Sequence, residues 1–279
     1  EVTEAVNKYG ADSVRQWSAA GGTTGYDIPY RWADVEYGRK FLTKLWNAAR
    51  LVLSSLQDYD PELQTPRLEL LDRWMLSKLN NLIKTVTDAF EGYQFSVATD
   101  TTRNFTWHDL CDQYLEAVKY RLYAKSGDAA ASKRAAQYTL FHTLDTVLKL
   151  LAPICPHITD ALYHELWRNR PKARSVHLAA WPHAAEELID EESERQGSIL
   201  VRVLSEIRRT KSEKRLSMKA PIKRLRIQAE EEVANVLRSH REAILQIGVV
   251  QEIVIVPIER RADRRLVAKG ESFLLQAEF

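Results

Sequence analysis

Cysteine is almost missing from this sequence: Cys111 and Cys155 are the only two among 279 residues. Both fall within helical patterns and neither stands at metal-ligand spacing, which argues against a disulfide framework or a cysteine zinc site. Such usage fits a reduced, cytoplasmic compartment. Long apolar runs are lacking too. None approaches the ~20 residues of a membrane span, so no membrane partner is expected. The opening, EVTEAVNKYGADSVRQW, lacks the basic-then-apolar order of a secretory leader. It reads as the interior of a helix, and the expectation is a piece cut from a longer chain. An excess of one charge is also absent; the net charge of +2 says little about partners.

Groupings that carry catalysis are equally scarce. The glycine cluster GGTTG lacks the lysine and the strand–helix setting of a phosphate loop. No Ser-His-Asp or Cys-His arrangement has supporting context. His157 and His164 lie two helical turns apart, too far to ligate one ion without another segment, and a structural role is expected for them. His108 and Asp109 are adjacent on a helix and point in different directions. Glu186, Glu187, Asp190, Glu191, Glu192 and Glu194 read as a solvated linker or helix start. No catalytic or metal-binding residue is assigned.

What is present is amphipathic helix. Hydrophobic residues make up 45% and charged residues 28%, enough for a sizeable core. Two short helices, 2–9 and 11–20, open the chain. From Asp34, Val35, Phe41, Leu42, Leu45, Trp46, Ala49, Val52, Leu53 and Leu56 follow the 3.6 period. Leu71 to Phe90 repeats it. A third helix starts near Ser96, a plausible N-cap, and runs to Leu122. A fourth is stopped by Pro153, and Pro156 starts a fifth. Long antiparallel helices with short connections predict a bundle. SVHLAAWP (175–182) closes it in extended form. Beyond lie a helix from Ser193 to Lys214, a strand in RLRIQAE, a helix over 233–247, a strand in EIVIVP, and two short strands about a turn at Lys269–Gly270. The predicted fold is mainly α: an opening segment 1–33, a helical bundle 34–182 and a small α/β unit 183–279.

Two basic features stand out. Arg39, Lys40, Lys44, Asn47 and Arg50 form a polar stripe on the first long helix. The tract RRTKSEKRLSMKAPIKRLR concentrates cations with few acids, suited to neutralising phosphates and to salt-dependent binding. Either could also be an ordinary solvated face.

Several stretches, in order, resemble class I aminoacyl-tRNA synthetases of the valine, isoleucine and leucine subgroup. NKYGADSVRQW is similar to the segment after their KMSKS loop. EYGRKFLTKLWNAARLVL, LDRWMLSKLNNLI, TWHDLCDQYLEAVK and LAPICPHITDALYHELW resemble the helices of their anticodon-binding bundle, and SVHLAAWP the segment closing it. GYDIPYRWADVEYGRKFLTKLWNAARLV reads as the valine form, through Asp27–Ile28–Pro29 and Trp46–Asn47–Ala48–Ala49–Arg50. IRRTKSEKRLSMKAPI resembles, more loosely, the C-terminal appendage of archaeal-type valine enzymes. The resemblance implies recognition of tRNA(Val) by the C-terminal part of a ligase that joins valine to tRNA using ATP. The HIGH and KMSKS motifs and the editing domain are absent, so these residues should be inactive alone. No cofactor is expected here; ATP and Mg belong to the catalytic domain, which with the editing domain would be a partner in the same polypeptide. Arg39, Lys40, Lys44, Asn47 and Arg50 are expected on the anticodon side. Arg208, Arg209, Lys211, Lys214 and Arg215 are expected to touch the tRNA backbone, the opening segment its inner side. The alternatives are the same region of an isoleucine or leucine enzyme, a helical scaffold that binds a protein, and a free-standing enzyme with an unrecognised site.

Overall fold

A computed structural model describes residues 2–22, 25, 27, 29–62, 64–123, 129–168, 175–258 and 273–279. They divide into two compact units, 1–112 with 124–190, and 113–123 with 191–279.

The first unit opens with α1 (Val2–Tyr9) and α2 (Ala11–Ala20), separated at Gly10. Gly10 has φ 85°, a left-handed conformation that glycine adopts without Cβ strain. The bundle helices are α3 (Trp32–Ser55), α4 (Leu70–Glu91), α5 (Phe95–Asn104), α7 (Ala129–Leu151) and α8 (Pro156–Leu166). Their apolar stripes meet in one core holding Phe41, Leu45, Trp74, Met75, Leu140, Leu144 and Leu148, all at most 2% exposed. α4 starts with a capping box, in which Glu69 and Asp72 satisfy each other's backbone N–H. The end of α3 is tied to α7 by Gln137, whose Nε2 donates to Ser55 O at 2.6 Å and Asp58 Oδ1 at 2.7 Å.

The segment after α8 is fastened to α4 by polar groups. Trp181 Nε1 donates to Thr87 Oγ1 at 2.9 Å, and Asn80 Oδ1 accepts from the Ala185 N–H at 2.7 Å. Ser77 Oγ accepts from the Asp190 N–H at 2.8 Å. Asn80 and Ser77 are buried within a helix that otherwise presents apolar residues there; the pairings offset the cost of burying them.

The helix expected from Ser96 to Leu122 is not uniform. It begins at Phe95, widens to a π-helix over Phe105–Leu115 and returns to α-helix as α6 (Glu116–Leu122). A 3.6-residue apolar pattern does not distinguish the two hydrogen-bonding registers over so short a stretch.

In the second unit, α9 (Glu191–Glu213) and α11 (Arg241–Gly248) lie against one another, α10 (Glu231–Ser239) packs on both, and α6 meets α11. Three strands, β1 (Ile222–Ala229), β2 (Val250–Pro257) and β3 (Phe273–Glu278), form a sheet in the order β2-β1-β3. β1 pairs parallel with β2 and antiparallel with β3. Parallel pairing requires a crossover, which α10 and α11 supply. The single helix expected over 233–247 is thus two, broken at His240. The turn anticipated at Lys269–Gly270 lies outside the described residues.

Candidate nucleic-acid interface

The stripe on α3 follows from helix geometry. Val35, Gly38, Phe41, Leu42, Leu45, Ala49 and Val52 are buried. At ~100° per residue, Arg39, Lys40, Thr43, Asn47 and Arg50 fall together on the opposite side, and all five are exposed. Lys44 stands at the margin of that stripe and is half-buried.

The five predicted residues are not equally available. Arg39 and Lys40 share Glu36, at 4.0 and 3.5 Å, and the Arg39 guanidinium lies 5.7 Å from the Tyr9 ring centre. Exposed pairs of this kind are weak and leave both cations open to exchange partners. Lys44 is held more firmly. Its ammonium pairs with Asp112 at 2.5 Å and lies 4.4 Å over the Trp107 ring. Asp112 also faces His108 Nδ1 at 3.2 Å, so His108 belongs to this cluster rather than to a pair with Asp109. Asp109 instead pairs with Lys78 at 2.6 Å. Asn47 and Arg50 have no hydrogen-bonding or ionic partner among the described residues.

Arg50 also lines a pocket of about 640 Å³ with Gln57, Tyr59, Glu165 and Arg168. Arg168 is paired to Glu165 at 2.6 Å, whereas Arg50 brings an unneutralised fork of donors. Amide, carboxylate, guanidinium and phenol side chains together can donate to and accept from the edge of an unpaired base, and Tyr59 adds an aromatic ring. Gln57, Tyr59, Glu165 and Arg168 were not anticipated from the sequence. They come from two helix ends more than a hundred residues apart, and nothing in their spacing marks them.

The basic tract of the second unit is partly neutralised, and one of its members is withdrawn. Lys211 was expected at the tRNA backbone, but it is 1% exposed. Its ammonium donates to Met218 O at 3.0 Å and Gly248 O at 2.8 Å, and burial pushes its pKa below the ordinary value of 10.5. The helix period explains the placement, because Leu200, Leu204, Ile207 and Lys211 share one face. Lys211 links α9 to the end of α11. Arg209 is exposed but bonded to Glu213 at 2.9 Å, with Glu206 at 3.4 Å, and these acids hold its guanidinium above the usual pKa. Arg208 is half-buried and bonds Ser205 Oγ at 3.0 Å. Lys214 is exposed, 4.6 Å over the Phe279 ring. Arg215 is exposed beyond the end of α9, with φ 55° and no side-chain partner among the described residues.

Among the described residues no group of three or more His, Cys, Asp or Glu side chains could hold a metal ion, and no helix is long and apolar enough to cross a membrane. His157 is placed instead by a contact the sequence did not reveal. Asp12 of α2 caps the start of α8, its Oδ2 accepting from the Ile158 N–H at 2.7 Å and its Oδ1 from the His157 N–H at 3.4 Å. Arg15, one turn on, donates to Ile154 O at 2.9 Å and Pro153 O at 3.0 Å. The pair clamps α2 across the joint between α7 and α8.

Residues 72–228 match the family model described as the anticodon-binding domain of tRNA ligase. The chain belongs to that family. The chain is 42% identical over 84% of its length to the valine–tRNA ligase of Methanothermobacter thermautotrophicus, and covers 25% of that protein. With the valine–tRNA ligase of Thermococcus kodakarensis it is 38% identical over 97% of its length, covering 30% of the relative. It therefore spans little more than a quarter of the curated relatives it matches. Among solved structures it resembles the Agrobacterium radiobacter K84 agnB2 LeuRS–tRNA–LeuAMS ternary complex. There the TM-score is 0.50 at 23% identity, over 68% of this chain and 22% of that one. That likeness is one of fold.

Proposed function

We propose that this chain recognises the anticodon arm of a valine tRNA as part of a valine–tRNA ligase. The observation that carries the reading is Arg50, a guanidinium without a partner among the described residues, standing at the end of the α3 stripe and lining a pocket with room for an unpaired base. RNA sequence is read chiefly from unpaired loop bases, held by stacking and by hydrogen bonds to their edges. Arg39, Lys40 and Lys44 would hold phosphates and set register, while Arg50 and Gln57 would meet a base. The names of the relatives support valine as the amino acid and its ligation to tRNA as the activity of the longer protein. ATP and Mg would bind its catalytic domain, and no residue here is assigned a part in the chemistry.

For the second unit, the exposed cations Lys214 and Arg215 are proposed as backbone contacts, with Arg208 and Arg209 beside them. Lys211 is removed from that set by its burial.

The test compares binding of a valine tRNA transcript, an anticodon-swapped version and an isoleucine tRNA at low and moderate salt. Tighter binding to the valine transcript, lost on swapping the anticodon and weakened on the order of tenfold by Arg50→Ala, is expected. Equal, steeply salt-dependent binding to all three would reduce the chain to a phosphate-gripping module.

A further inference from the structure

Four of the five buried side-chain atoms that find no partner among the described residues belong to three neighbouring side chains: Gln16 Nε2 and Oε1, Trp17 Nε1 and Arg103 Nε. Those three residues line one pocket of about 350 Å³, together with Arg31, Asp34 and Tyr37. Buried donors without partners are rare, because each gives up its hydration for nothing in return. Each of these atoms has almost no accessible area, and their concentration beneath the wall of one pocket singles that pocket out.

The chemistry of the lining is rich in donors. Gln16 Oε1 is turned toward α3, where a Cβ on Gly38 would lie 2.8 Å from it. That leaves the Gln16 amide hydrogens, the Trp17 indole N–H and the Arg103 Nε–H. Arg103 is fixed in place, its Nη2 bonded to Asp100 at 2.6 Å and its guanidinium 4.7 Å from the Tyr37 ring centre. Arg31 is exposed, without a side-chain partner among the described residues, and adds a second guanidinium. Asp34 is the one carboxylate of the lining and is exposed, so water screens its repulsion. With Arg103 already paired to Asp100, the uncommitted charge of the lining is the Arg31 guanidinium. A tetrahedral oxyanion uses both the donors and the charge.

We propose that this pocket binds one phosphate group, supplied by the backbone of the bound RNA. The pocket chemistry stands by itself; the source of the phosphate rests on the anticodon-arm reading above. A ladder of stacked groups connects the pocket to the α3 stripe. Arg103 lies on Tyr37, Tyr37 stacks on Trp107 at 5.9 Å and 10°, and Lys44 lies over the same indole at 4.4 Å. An RNA strand held by Lys44 thus has a continuous cationic and aromatic path to the pocket.

The test follows the indole N–H resonances of the ¹⁵N-labelled full chain, with Trp17 assigned by Trp17→Phe. Inorganic phosphate at constant ionic strength, chloride as the control, and the valine tRNA transcript are titrated separately. Phosphate and the transcript should each move the Trp17 signal selectively. Trp17→Phe should weaken transcript binding threefold to tenfold, roughly the loss of one charge-assisted hydrogen bond. Arg31→Ala, an exposed change that leaves the core intact, should lower the salt slope by about 1. A transcript that binds while the Trp17 signal stays still overturns the RNA assignment, and the pocket then takes free phosphate if phosphate alone moves it. A phosphate response matched by chloride, or shared equally by all indoles, overturns the site. A selective phosphate response without any transcript binding keeps the site and sinks the anticodon-arm reading.

Discussion

Removing the Asp12 carboxylate should loosen the first unit far more than a polar-to-alanine change on a short helix ordinarily would. Asp12 is 7% exposed and caps a helix that is distant in sequence. Asp12→Ala orphans the Ile158 N–H and weakens the hold on the His157 N–H. Loss of an N-cap costs ~0.5–2 kcal/mol. Leaving this part-buried donor unsatisfied adds at most ~1–3 kcal/mol, and the favourable charge at the positive end of α8 contributes ~0.3–1 kcal/mol. These contributions overlap, and about 3 kcal/mol is the expected total. For a unit of ~180 residues, where 1 kcal/mol moves Tm by ~2–4 °C, the shift is roughly 6–12 °C. Asp12→Asn retains an acceptor for Ile158 and should lose about 1 kcal/mol. Urea and thermal unfolding followed by circular dichroism measure both variants. A change within about 0.5 kcal/mol for Asp12→Ala would refute the clamp as a source of stability.

Gly38→Ala should destabilise the first unit by ~1–3 kcal/mol although alanine is the better helix former, because the new Cβ meets Gln16 Oε1 at 2.8 Å and the Ser13 carbonyl at 3.2 Å; a stabilised variant in urea melts would contradict the close approach of α2 to α3. Lys211→Met should cost the second unit ~2–3 kcal/mol by leaving two carbonyls unpaired, yet leave RNA affinity and its salt slope unchanged. Lys211 also sets a pH dependence. Its folded pKa lies below the 10.5 of an ordinary lysine, so the unfolded chain binds the proton more tightly. Stability should therefore rise with pH through the window just beneath 10.5, and Lys211→Met should lack that rise. Burial pushes the Cys155 thiol up to about 12, so a thiol reagent at pH ~8 should label it only after unfolding; rapid labelling of native protein would show the α7–α8 joint to be open.

Periodicity made the bundle legible. The apolar spacing of α3 and α4 identified their buried faces because a 3.6-residue repeat has one structural meaning over twenty residues. Short or composite elements were less legible. Trp46 satisfied the count of apolar positions in α3 yet is 42% exposed, since it stands at the edge of the stripe. Lys211 was read by its charge within a basic tract, although its spacing from Leu200, Leu204 and Ile207 already placed it on the buried face. There the signal was present and composition outweighed it.

By itself the sequence determined the long helices of the bundle, the alternating strand β1 of the second unit and the polar stripe along α3, all of which depend on spacing within one element. Only the tertiary structure decided which polar groups were spent on holding the fold and which remained available. Asp12 reaches a helix nearly 150 residues away, Lys211 is spent on two backbone carbonyls, and Arg50 is left without a partner among the described residues. The physical reason is that charge and hydrogen-bonding capacity are neutralised by neighbours in space, and linear spacing carries no record of those neighbours once the chain turns back on itself.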